Sequence, residues 1–75
     1  MGPTTDAMVI AAQDAVAHAD EAVEAAAVLL AEAVVEAWED VHAHVANYRR
    51  AKAQRAYAGA VLEAVTHDRD RAVPA

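Results

Sequence analysis

Apolar residues recur along the first two thirds of the chain at helical spacing. Set out at about 100° per residue, Val9, Val16, Val23, Leu30, Val34, Val41, Val45 and Tyr48 fall within one narrow stripe, with Ala12, Ala19 and Ala27 in its gaps. Asp14, Glu21, Glu32, Glu36 and Glu39 fall on the opposite side. Thr4, Thr5 and Asp6 are all good N-cap types, Pro3 stands just upstream, and no glycine or proline follows until Gly59. The pattern predicts a helix over about 5–46, roughly 60 Å long at 1.5 Å per residue.

The step from Val9 to Val16, Val23 and Leu30 is a strict seven, and the continuation through Val34, Trp38, Val41, Val45 and Tyr48 includes two successive fours. Such a series reads as a coiled-coil seam with an inserted four, a stutter that locally unwinds the supercoil. Small alanines at alternate seam positions permit close helix approach. Ile10, Val28, Leu29 and Val35 lie off the stripe and point to a second contact face.

Beyond Tyr48 the pattern changes phase. An unbroken helix would bring Lys52 and Arg55 onto the apolar stripe and carry Tyr57, Val61 and Val65 to the acidic side. A turn or kink at about 46–49 accounts for this, with Asn47 as its left-handed residue. A second helix then runs over about 49–70, weakened at Gly59 by about 1 kcal/mol relative to alanine, and 71–75 form a terminal coil. The expected fold is a single all-α domain over 1–75: a long amphipathic helix followed by a shorter one, as a helical hairpin or a bent long helix, with oligomeric coiled-coil or bundle packing. A second helix of about 33 Å cannot reach Val9, Val16 and Val23, so these are expected to be covered by another chain. Val61, Leu62 and Val65 would extend that interface from the second helix.

Charge sharpens the picture. The net charge is −6, and the distribution is lopsided: residues 1–40 hold nine acids and no lysine or arginine, whereas residues 41–75 hold all six bases and three acids. Such asymmetry joins the two halves of the chain or joins neighbouring chains. Arg49, Arg50, Lys52 and Arg55 form the one basic segment, flanked by Tyr48 and Tyr57. They are read as partners for acids within the protein or across an interface. Binding of nucleic acid through so few charges would be weak and salt-sensitive, and nine acids oppose it.

Candidate chemistry is sparse. Glu39 and His42 stand three apart, the spacing by which bundle helices place a carboxylate and an imidazole on one face for a di-iron site. The nearby acids lie opposite the seam, as on a solvated face, so the expectation is no metal and no cofactor. The chain has no cysteine. It also has no serine and no glycine-rich phosphate loop, so nucleophilic and nucleotide chemistries lack their parts and no enzyme is expected.

More than half of the hydrophobic residues are alanine, which forms helix well but buries little area. This Ala/Val bias suits a high-GC genome such as that of an actinobacterium or its phage. The apolar run 25–31, flanked by Glu24 and Glu32, is far shorter than a bilayer span, and the N-terminal residues lack a secretory signal pattern. A cytoplasmic location, or a virion for a phage protein, is expected. The Trp38-Glu39-Asp40 step lacks the Trp-x-Gly turn of secreted helical hairpins, and no family resemblance is drawn. The residues together imply a non-enzymatic structural or adaptor subunit that forms a homo-oligomer or packs onto a larger protein complex. A metal-binding helical oligomer and a small regulator touching nucleic acid are the alternatives.

Overall fold

The structure, a computed structural model, describes residues 5–72. It is an antiparallel helical hairpin: helix α1 spans Asp6–Glu36, a single 3₁₀ turn spans Trp38–Asp40, and helix α2 spans Val41–Ala72. Thr5 caps α1, its Oγ1 accepting from the backbone N–H of Met8 at 3.3 Å. Asp6 in the first turn of α1, and Arg69 and Arg71 in the last turn of α2, place each charge at the helix end whose dipole favours it.

The turn falls at Ala37, about ten residues before the expected one, and residues 46–49 lie inside α2. Ala37 leaves the helical region at φ −143° and ψ 61°, while its N–H still bonds the Ala33 carbonyl at 2.9 Å. Its own carbonyl accepts from Asp40 N–H at 2.8 Å, which starts the next helix. No described residue other than glycine takes a positive φ, so the reversal needs neither a glycine nor a left-handed asparagine, and Asn47 is simply helical. Glu39 and Asp40, just ahead of α2, sit where carboxylates stabilise a helix start.

With the turn at Ala37 the apparent stutter disappears. In α1 the seam runs without interruption through Val9, Val16, Val23 and Leu30 to Ala37 at its end, and between them Ala12, Ala19, Ala26 and Ala33 recur every seventh residue; each of these is buried or half-buried. Ala26, at 3% exposure, occupies the place expected for Ala27, which is exposed. In α2 the seam runs through Val41, Tyr48, Arg55, Leu62 and Arg69, alternating with His44, Ala51, Ala58 and Val65. The two successive fours mark a break between helices, and the 3.5-residue period holds within each.

The expected phase change at Tyr48 has a different cause. Arg55 does occupy the seam, because its aliphatic stem packs there while the guanidinium reaches outward to a carboxylate. Arg55 Nε bonds Asp20 Oδ1 at 2.5 Å, and Arg69 Nη1 lies 3.5 Å from Asp6 Oδ1. Both pairs are centred on the junction of Ala37 and Trp38, so a single register relates the helices from the turn to the open end. Gly59 serves that register: a Cβ there would stand 2.7 Å from Arg55 Nη1.

Helices of 31 and 32 residues are matched at about 46–48 Å, so α2 reaches the start of α1. Val9, at 3% exposure, is therefore covered within one molecule, and Val16 and Val23 are half-buried there. The expectation that only another chain could cover them came from placing the turn too late. Arg71 and Ala72 are helical too, where a coil was expected; Met1 to Thr4 and Val73 to Ala75 lie outside the described residues.

Two stability outcomes follow. Ala26→Glu should lower stability by about 2 kcal/mol or more by forcing an unpaired carboxylate into the seam, whereas Ala27→Glu should stay within about 0.5 kcal/mol; circular-dichroism melting compares them. Gly59→Ala should stabilise an Arg55→Ala variant by about 1 kcal/mol, the ordinary gain for glycine in a helix. In the wild-type background the gain should be smaller, because the new methyl displaces the Arg55 guanidinium from Asp20, an exposed pair worth about 0.2–1 kcal/mol.

Candidate protein-interaction surface

The core that holds the hairpin is thin. Its buried residues are Val9 and five alanines, Ala12, Ala26, Ala33, Ala51 and Ala58, and none of the described side chains is completely enclosed. Alanine carries one methyl group, so the area removed from water per residue is small. The larger seam residues Val16, Val23, Leu30, Val41, Val45, Tyr48, Leu62 and Val65 remain half-buried. One neighbouring helix covers a side chain from one direction, and a second layer would be needed to close the other.

The remaining residues expected at an interface are exposed. Val34 and Val61 face solvent, and Trp38 is 70% exposed on the 3₁₀ turn. The off-stripe group is exposed as well: Ile10, Val28, Leu29 and Val35, the last at 82%. Val28, Leu29, Val34, Val35 and Trp38 thus concentrate large apolar side chains on the final turns of α1 and the reversal that follows. Met8 and Tyr57 are exposed apolar residues that the sequence stripe did not single out. Met8 stands beside the seam and Tyr57 one position farther out, places that can be assigned only once the turn is known.

Shape agrees with incomplete burial. The molecule measures 57 × 18 × 14 Å with a radius of gyration of 17.0 Å, against about 11 Å for a compact domain of this length. Its accessible surface is 5683 Å², whereas a compact monomer of 7.9 kDa exposes about 4,400 Å². A two-helix layer leaves most of each helix facing water.

The structure divides the basic segment. Arg55 pairs with Asp20, and Lys52 joins them in an open cleft of about 460 Å³ also lined by Val23 and Glu24. The Lys52 ammonium lies 5.5 Å from the centre of the Tyr48 ring. Arg49 and Arg50 are exposed, with no ion pair among the described residues. The four bases therefore spread around α2 instead of forming one stripe, and two of them are turned toward α1. The lopsided charge joins the two halves of the same chain.

Glu39 and His42 do not share a regular helix: Glu39 lies in the 3₁₀ turn and His42 in the first turn of α2, both exposed. Among the described residues no three histidine, aspartate or glutamate side chains come together where they could hold a metal ion. No described helix is long and apolar enough to cross a membrane.

What the geometry offers is therefore an extended pair of helices with a thin core and several large apolar side chains left exposed among the charged ones. No family model matches the chain, and neither a curated protein nor a solved structure matches it.

Proposed function

We propose that this protein is a non-enzymatic structural or adaptor subunit, a helical hairpin that works by packing against other protein chains through apolar side chains. The observation that carries this reading is the exposed apolar group at the turn end, Trp38 and Val35 above all, on a hairpin whose own buried residues are almost entirely alanine. Large exposed apolar patches on small proteins mark interaction sites, and tryptophan is prominent among residues that anchor them. A two-helix protein without disulfides also gains most of its stability from assembly, because one helix pair buries too little surface alone.

The seam itself holds the hairpin together, so the contact with other chains uses the outer surface and the uncovered flank of the seam. A role in an assembly, such as a virion or another multi-subunit particle, suits an elongated module of this kind.

The single tryptophan makes the reading measurable. On raising the concentration over roughly three decades, Trp38 emission should shift to the blue and the melting temperature should rise, as mass action requires when association stabilises the fold. Trp38→Ala should weaken association by about tenfold or more while leaving the helix content unchanged. A helical monomer whose emission and melting temperature are constant over that range would contradict the proposal.

A further inference from the structure

The helix ends follow the dipole rule with one exception. α1 starts on Asp6, Glu39 and Asp40 stand just ahead of α2, and α2 finishes with Arg69 and Arg71. α1 finishes with no base in its last turn and carries Glu32 and Glu36 over its last two turns. Carboxylates four residues apart repel each other on a helix, and the free carbonyls of the helix end add potential of the same sign.

These two carboxylates stand at a shallow groove of about 170 Å³ at the turn end, whose apolar lining comes from Leu29, Ala33 and Ala37 and whose α2 side is His44. Neither carboxylate has an ion pair among the described residues. No base is within reach to supply one. Residues 1–48 hold no lysine or arginine, and in the register that sets Arg55 opposite Asp20, Glu32 and Glu36 lie opposite residues 39–43.

The other flank of the hairpin shows what becomes of the same arrangement when a base is present. Asp20 and Glu24, also four apart, line the cleft of about 460 Å³ together with Lys52 and Arg55, and Arg55 bonds Asp20. Leu29 follows Asp20 by nine residues, about two and a half turns, so the groove at Glu32 and Glu36 opens on the opposite side of α1. It has the acids and the apolar lining of its counterpart and lacks the base.

We propose that this groove receives a lysine or arginine side chain of a different protein, one whose contact surface is basic. The inference rests on the reading that this protein packs against other chains, and it assigns a chemistry to the partner at the turn end. The aliphatic stem of the incoming residue lies along Leu29, Ala33 and Ala37, and its charged head meets Glu32 and Glu36. A metal ion is a poorer occupant, because the described residues gather no three-ligand group. A second copy is poorer as well, since it brings the same net charge of −6.

Fluorescence anisotropy of two labelled helical peptides tests the groove on the full chain. One peptide has leucine at the a and d heptad places and lysine elsewhere; its twin has glutamate for lysine. The lysine peptide should bind at least about tenfold more tightly than the twin. Glu32→Gln with Glu36→Gln should weaken it by about tenfold or more. Asp14→Asn with Glu21→Gln removes as many charges from exposed places farther along α1 and should weaken it by less than about threefold. Leu29→Glu should weaken it too, although that change makes the chain more acidic. Equal losses in the two double variants, or equal binding of the two peptides, would reduce the attraction to net charge or to grease and overturn the groove. The concentration-dependent shift of Trp38 emission keeps the two readings apart. If the shift is seen but the lysine peptide does not bind, this inference falls and association stands; if neither is seen, both fall. A shift that disappears in the Glu32→Gln, Glu36→Gln variant would put a second copy in the groove and overturn the choice of a different protein.

Discussion

Close approach of two helices along an alanine line is the interaction on which this structure depends. Ala12, Ala19, Ala26 and Ala33 recur every seventh residue in α1, and Ala51 and Ala58 meet the seam from α2. A side chain of one methyl lets the two helices pack with little interdigitation of larger side chains. The arrangement gains shape precision but buries little area, since each alanine contributes few methylenes' worth of transfer free energy. Everything else about the molecule follows from that compromise: the elongated shape, the half-buried valines and the apolar residues left outside.

Electrostatics supply the register that alanines cannot. A line of identical small residues can slide by a heptad without losing much, because every seventh position looks alike. Asp20 with Arg55 and Asp6 with Arg69 break that degeneracy, since both pairs form only when the chain reverses at Ala37. Their side chains are substantially exposed, so the energy of each is modest. Their value lies in choosing among alternatives of nearly equal burial. Gly59 belongs to the same device, leaving room for the Arg55 guanidinium on the way to Asp20.

An incomplete core links fold to function here. A third or fourth helix would normally cover the flanks of such a seam, and the described residues form two α-helices. One flank of the seam carries the ion pairs of Asp20 and Asp6, while Met8, Leu29, Tyr57, Val35 and Trp38 are left facing water. Metal and nucleic-acid readings draw less from the geometry, because Glu39 and His42 stand apart from a third ligand and the bases diverge around α2.

Helical periodicity, the Thr5 cap, the all-α class and the seven-residue spacing of Val9, Val16, Val23 and Leu30 were determined by the sequence alone, because each depends on residues within a few turns of one another. The off-stripe group Ile10, Val28, Leu29 and Val35 was legible for the same reason. The place of reversal was decided only by the tertiary structure. Ala37 carries no glycine, proline or asparagine signal, and an alanine ends a helix there because pairing α1 with an equally long α2 covers Val9 at the far end. That one position shifted the phase of all that followed, moving Ala26 inward, Val34 outward and Arg55 into the seam. Local pattern records which residues can share a face, but which face is covered depends on where the partner helix begins, a contact between residues far apart along the chain.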